Sequence, residues 1–259
     1  MPQRCRDKVL KQMTVNKILI SQKEPTNTSP YVSLTEKYGV QIDFEPFYSI
    51  EPLSSREFRA QRINFLDFTA VVFSSRHAID AYFMMADDLR IKIPETMKYF
   101  CTTEAVAMYL QKHIIFRKRK IFYGNGTPQS VIDLIGTKHK GEKFLITTSD
   151  NSNPEAMTRL FDEKGLDYTT VVLVKSVSNE LKGLDPASYD MIVFYNPSDV
   201  ESLYKNFPEF TQGGIRFISY GRSIVKAMED AGLQIAVKAP SPEHRSVAGA
   251  IESYLKDNQ

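Results

Sequence analysis

The stretch Phe68-Thr-Ala-Val-Val-Phe-Ser-Ser-Arg-His-Ala-Ile-Asp80 decides how this chain is organised, because Tyr189-Asp-Met-Ile-Val-Phe-Tyr-Asn-Pro-Ser-Asp-Val200 repeats its plan. Each copy is a continuous apolar run of strand length that breaks into small polar residues and then opens a helix. An unbroken apolar run is what a parallel strand covered on both faces requires. The polar break then falls at the strand's carboxyl end, where the next helix begins with unpaired N–H groups. In open α/β sheets that edge is where ligands bind.

Working outward, the repeat continues. Met97-Lys-Tyr-Phe-Cys-Thr-Thr-Glu-Ala-Val-Ala-Met108 matches Ile215-Arg-Phe-Ile-Ser-Tyr-Gly-Arg-Ser-Ile-Val-Lys-Ala-Met228 as strand, polar turn and helix. Ile121-Phe-Tyr-Gly-Asn-Gly-Thr-Pro-Gln-Ser-Val131 matches Gln234-Ile-Ala-Val-Lys-Ala-Pro-Ser-Pro-Glu-His244. A fourth unit, Lys143–Ser149 with a helix over Glu155–Lys164 and a strand over Asp167–Ser176, finds its partner at the other end of the chain. That partner is Lys17–Gln22, a helix over Tyr31–Tyr38, and Val40–Ile50. Self-similarity of this kind sets the architecture. The fold class expected is α/β: two flavodoxin-like (Rossmann-like) parallel-sheet domains, one of them discontinuous in sequence. The discontinuous domain takes residues 16–47 and 177–259, and the continuous one 53–172. Two linkers, at about 48–52 and 173–176, are expected to run side by side, pair as a short ladder and serve as a hinge. Ser54–Leu66 reads as an amphipathic helix with serine caps. Residues 1–15 carry no period and are expected to form a loose arm.

Composition fits two cores: 259 residues, 42% hydrophobic and 11% aromatic. No apolar run approaches the roughly 18 residues of a membrane span, and the polar start Met-Pro-Gln-Arg-Cys lacks the apolar stretch of a signal peptide. Two cysteines, Cys5 and Cys101, suggest no disulfide framework, and so a cytoplasmic location. A net charge of +2 argues against general nucleic-acid binding, and Arg117-Lys-Arg-Lys120 reads as a solvated connector.

No Gly-x-Gly-x-x-Gly follows a strand, there is no Walker loop, and His77, His113, His139 and His244 are scattered without metal-ligand spacing. Instead the strand ends are rich in Ser, Thr, Asn and Gly beside helix starts, groups that offer hydroxyl and backbone N–H donors to anions. The candidate binding residues are Ser74, Ser75, Arg76, Asn125, Gly126, Thr127, Thr148, Ser149, Asn196, Ser198, Gly221, Arg222 and Ser223. Six have a plainer reading: Ser74 and Ser75 as helix caps, Asn125 and Gly126 as a tight turn, Arg76 and Arg222 as solvated charges, whereas Asn196-Pro197-Ser198 favours a functional role. Capping and ligand contact are not exclusive. The sequence therefore reads as a clamp for a polyanion.

Phe-Ser-Ser-Arg-His-Ala (73–78), Phe-Tyr-Asn-Pro-Ser-Asp (194–199), Ser-Tyr-Gly-Arg-Ser (219–223), Ala-Gly-Leu (231–233) and Pro-Ser-Pro-Glu (240–243), in this order, resemble the uroporphyrinogen-III synthase family. The resemblance covers about residues 16–256. It implies two flavodoxin-like domains facing a cleft and a cofactor-free, metal-free reaction on hydroxymethylbilane, a linear tetrapyrrole with eight carboxylates. The terminal hydroxyl leaves, the azafulvene is attacked at a substituted pyrrole carbon, and the last ring is inverted through a spiro intermediate before closure. It also implies a monomer that meets no membrane or nucleic acid and makes transient contact with the enzyme preceding it. The family usually carries a tyrosine on the return linker, where this chain has Val174. Tyr195 and Tyr220, at strand ends, are the candidates to replace it, and Tyr168 lies on the linker's approach. A non-catalytic tetrapyrrole-binding regulator is the alternative that this departure supports. A periplasmic-type binding protein, which shares split domains, is a third.

Overall fold

The computed structural model describes residues 15–258; Cys5 and most of the expected arm fall outside that range. The chain opens with β1 (Lys17–Ile20), α1 (Ser29–Tyr38) and β2 (Gln41–Phe44). It crosses through β3 (Tyr48–Pro52) and α2 (Ser55–Ala60) into β4 (Ala70–Phe73), α3 (Arg76–Asp88), β5 (Lys98–Cys101), α4 (Glu104–Tyr109), β6 (Ile121–Tyr123), α5 (Pro128–Ile135), β7 (Lys143–Ser149), α6 (Glu155–Lys164) and β8 (Asp167–Ser178). It returns through β9 (Met191–Phe194), α7 (Pro197–Asn206), β10 (Arg216–Tyr220), α8 (Arg222–Asp230), β11 (Ile235–Ala239) and α9 (Val247–Asn258). Residues up to Ser49 and from Ser178 onward form one compact unit, and Ile50–Val177 the other.

In the discontinuous unit the sheet order is β11-β10-β9-β1-β2, and every pair is parallel. In the continuous unit it is β3-β8-β7-β4-β5-β6, parallel from β8 to β6. The orders superpose term by term, β9 on β4, β10 on β5, β11 on β6, β1 on β7 and β2 on β8. The internal repeat read from the sequence is thus a repeat of strand order, with β1 and its helix displaced to the start of the chain.

Parallel strands buried on both faces send alternate residues to two separate cores. In the discontinuous unit Ile18, Ile20, Met191, Val193 and Ile218 pack with residues of α1 and α9 on one face. Leu19, Ile192, Phe194 and Phe217 pack with residues of α7 and α8 on the other. The continuous unit divides likewise: Val71, Phe73, Tyr99 and Leu145 go to the α2–α4 face, and Ala70, Val72, Phe100, Phe144 and Ile146 to the α5–α6 face.

Three expectations need correction. The helix read over Ser54–Leu66 stops at Ala60, because Arg62 takes a left-handed φ of 55°. Ser54 and Glu57 form the reciprocal cap at its start, and Asn64 caps a separate 3-10 turn over Phe65–Asp67. The two crossing segments do lie side by side, β3 next to β8, but the return one is no separate linker at 173–176: β8 is one 12-residue strand that also pairs with β7 from Asp167 to Val174. Val15, placed in the loose arm, is buried at 3% exposure against Ile18 and Val40 in the discontinuous unit's core.

Candidate functional site

Parallel pairing places every strand's carboxyl end on one edge of its own sheet, so the polar turns of each unit share an edge. In the continuous unit α3, α4, α5 and α6 start there, and the first three are each capped by a hydroxyl from their own turn. Ser75 Oγ accepts from the Ala78 N–H (3.1 Å), Thr103 Oγ1 from Val106 (3.3 Å) and Thr127 Oγ1 from Ser130 (3.3 Å). A hydroxyl that accepts at a cap still has its own hydrogen to give. Thr127 donates it to Asn125 Oδ1 (2.8 Å), which also accepts from the Thr127 N–H (3.2 Å). Gly126 sits between them with φ +98°, a conformation costly for any side chain. Ser74 and Arg76 are exposed, and the Arg76 guanidinium lies 5.5 Å from the centre of the Tyr109 ring. Thr148 differs from the expectation: it is buried, and its hydroxyl donates to the Val171 carbonyl (3.2 Å), so it serves the sheet. Ser149 and Ser152 close a small turn, and Asp150 beside it accepts from the Ser176 N–H (3.0 Å).

In the discontinuous unit the edge is built differently. Asn196 caps α7 through Oδ1, accepting from Ser198 N–H (3.1 Å). Asp199 reaches back, its Oδ2 accepting from the N–H groups of Tyr195 (2.8 Å) and Asn196 (2.9 Å). Asp199 is fully buried, and burial raises its carboxyl to about 6 against the lowering effect of those two bonds. Its Oδ1 has no hydrogen-bond partner among the described residues; neither does the hydroxyl of Ser21, which lies beside it, nor that of Ser219, one strand over. Ser198, expected to face a ligand, is buried at 2% exposure. Gly221 holds φ 135° and ψ 157°, with no side-chain cap for α8, so Arg222 and Ser223 begin that helix exposed. A Cβ on Gly221 would stand 3.4 Å from the Tyr195 carbonyl, so the turn is tight as well as strained.

Three phenols gather on the α1–α9 face of this edge. Tyr195 and Tyr220 follow β9 and β10, with ring centroids 5.5 Å apart. Tyr31, from α1, packs edge-on against Phe44 at 5.1 Å. Tyr220 already donates to the Arg245 carbonyl (3.1 Å). Burial raises Tyr195 well above the ordinary phenol range and Tyr31 less far. Sequence reading found Tyr195 and Tyr220 but missed Tyr31 and Asp199. For Asp199 a signal existed: Asn196-Pro-Ser-Asp199 has an acid three residues after a cap residue, the spacing of a reciprocal cap. For Tyr31 there was none, since a helix residue reaches this edge only through the packing of α1 on β2.

Among the described residues no three His, Cys, Asp or Glu side chains are grouped to hold a metal. Cys101 is a buried core thiol, pushed up to about 12 by burial, and unsuited to nucleophilic work.

A family model for uroporphyrinogen-III synthase HemD matches residues 29–248. The chain belongs to the uroporphyrinogen-III synthase family. Solved synthases share the fold. The Helicobacter pylori uroporphyrinogen-III synthetase matches over 93% of this chain and 99% of its own, with 15% identity and a TM-score of 0.56. A mutant Thermus thermophilus uroporphyrinogen III synthase matches over 94% and 98%, with 13% identity and a TM-score of 0.50.

Val174, the position at which the resemblance implied a phenol, lies beside a register slip. The β7–β8 register slips between Thr148 and Ser149, so Val172 lies opposite Thr148 and Val174 opposite Ser149. The slip breaks alternation and turns both Leu173 and Val174 into the core, at 0% and 4% exposure. Tyr168 sits at the opposite, amino end of β8, with its hydroxyl donating to Asp162 (3.0 Å).

Proposed function

We propose that this chain cyclises hydroxymethylbilane to uroporphyrinogen III, inverting the terminal pyrrole ring. Loss of the terminal hydroxyl as water, driven by the pyrrole nitrogen pair, gives the azafulvene. Attack from the substituted carbon of the last ring then forms the spiro intermediate, which opens and recloses at the other carbon. The substrate supplies the electron push, so the protein's work is to hold the chain in the geometry that leads to inversion. What carries this reading is the chemistry of the turns in a chain of this family. Hydroxyl, amide and helix-start donors recur at the strand ends, and no activated nucleophile accompanies them. Ser75 and the Asn125 amide in one unit, with Thr127 holding Asn125 in place, and Asn196, Gly221, Arg222 and Ser223 in the other, are the groups that suit carboxylates. Thr148 and Ser198, both buried, support the turns from behind.

The test is incubation with freshly generated hydroxymethylbilane and separation of the isomers. Spontaneous closure gives type I, so a type III fraction above the enzyme-free control supports the reading. Binding of the bilane with only type I product, formed at the uncatalysed rate, would replace it with the regulatory role.

A further inference from the structure

The run Arg117-Lys-Arg-Lys120 has no part in the edge described above. It leads into β6, and the Tyr99 N–H of β5 donates to the Lys120 carbonyl (2.8 Å), so the run lies at the amino end of the continuous unit's sheet. Arg117 and Lys120 line a cavity of about 200 Å³ there. Its other walls are apolar: Tyr99 is 3% exposed, and Ile93 and Ile114 pack against the unit's core. Ile115 lines it too, yet is 78% exposed, the most exposed large apolar side chain among the described residues. The charge around it is one-sided. Arg90 and Lys92 precede Ile93 in the chain, and four cations in a row follow Phe116, although the whole chain carries only +2. The one acid in these segments is Glu95, 3.6 Å from Arg117 and itself 85% exposed. Lys118, Arg119 and Lys120 make no ion pair among the described residues.

We propose that this face docks a short acidic segment of a partner protein, which seats a large apolar side chain in the cavity against Ile115 while its flanking carboxylates meet the basic run. The proposal goes beyond the synthase reading and does not depend on it. Opposite charge speeds encounter and fixes register, and a recessed apolar pocket supplies the anchor that charge alone does not. Two other anionic surfaces suit the face less well. A nucleic-acid backbone brings phosphates but no aliphatic or aromatic side chain to fill the hollow. A membrane takes up residues that protrude, and of the apolar lining only Ile115 does, since Tyr99 is buried and Ile93 and Ile114 are half-buried. Docking at the amino end of this sheet leaves the turns at its carboxyl end open, so a docked partner does not compete for them.

The probe is a fluorescein-labelled peptide, Glu-Asp-Glu-Phe-Glu-Asp-Glu, titrated with the full chain and followed by anisotropy. A contact this small should bind weakly, with a dissociation constant between about 10 µM and 1 mM, and weaken as salt is added. Serine in place of the peptide's phenylalanine, or Ile115→Ser in the protein, should each weaken binding about tenfold, the worth of burying one apolar side chain. Lys118→Glu with Arg119→Glu should abolish it, and Glu95→Gln should strengthen it by removing the competing carboxylate. All four positions are exposed, so these variants should fold as wild type does by circular dichroism. No binding below about 1 mM overturns the proposal. So does binding that needs the cations but ignores both Ile115→Ser and the serine peptide, which would be charge attraction without a pocket. Ile115-dependent sedimentation with phosphatidylserine vesicles, binding to a DNA duplex, or self-association lost in Ile115→Ser, each without peptide binding, overturns it in favour of a membrane, nucleic acid or a second copy.

Discussion

Asp199→Asn should stabilise the discontinuous unit, and the gain should depend on pH in a direction the geometry dictates. Asp199 is fully buried, and its carboxyl, 3.8 in the open chain, rises to about 6 when folded. Folding therefore favours the protonated form. Its contribution is fully present below 3.8 and is lost as pH climbs through about 6, since the folded state binds more protons in between. A shift of roughly two units makes the ionised carboxylate cost ~3 kcal/mol above that window. Asparagine removes the charge but not the cap. Its amide oxygen can accept from the Tyr195 and Asn196 N–H groups, as Oδ2 does now. Its amide nitrogen would replace Oδ1 and face the Ser21 hydroxyl, which now interacts with the carboxylate. Relative to wild type, the gain should be ~3 kcal/mol at about pH 8 and under ~1 kcal/mol at about pH 4. With a urea m-value of about 2 kcal/mol/M, the higher figure moves the midpoint by ~1.5 M. Because each unit has its own cores, the transition is best read locally, by hydrogen exchange in peptides spanning β9 and α7. A variant less stable than wild type at about pH 8, or a gain equal at both pH values, would refute the reasoning.

Ser75→Ala removes the acceptor at the start of α3 and should cost about 0.5–2 kcal/mol in urea unfolding of the continuous unit. If Ser75 also holds a substrate carboxylate, KM should rise, a change that a cap alone would not produce. Val174→Tyr, which installs the phenol that the resemblance implied, should lower stability by about 1–3 kcal/mol and not raise turnover, since the side chain enters a filled core. A stable and faster Val174→Tyr enzyme would show that β8 can turn that residue outward.

The strand order was legible because it depends on features a sequence states openly. Apolar runs such as Ala70–Phe73 and Met191–Phe194, short, rich in β-branched and aromatic residues and followed by small polar ones, fit buried strands that lead into helix crossovers. Two copies of one series, with a unit moved to the front, then fix both sheets. The polar edge was legible as caps and turns: Ser75, Thr127 and Asn196 cap helices, Asn125 closes a turn and Gly221 takes a positive φ. Hydroxyl direction was not legible. Thr148 and Ser75 look alike in sequence, yet Thr148 gives its hydrogen to the Val171 carbonyl while Ser75 caps a helix.

The same limit explains Val174 and Tyr31 together. Period-two reading puts Leu173 and Val174 on opposite faces, one of which would be free to carry a phenol. A single register slip beside Ser149 turns both into the core, and nothing in the valine-rich run announces the slip. A phenol at Val174 would therefore require a different β7–β8 register, so its absence is a property of this strand pair rather than an isolated substitution. The acid function, if kept, has to come from outside β8. Tyr31 reaches this edge through a tertiary contact, α1 lying on β2 so that its ring meets Phe44, which no pattern in the sequence announces.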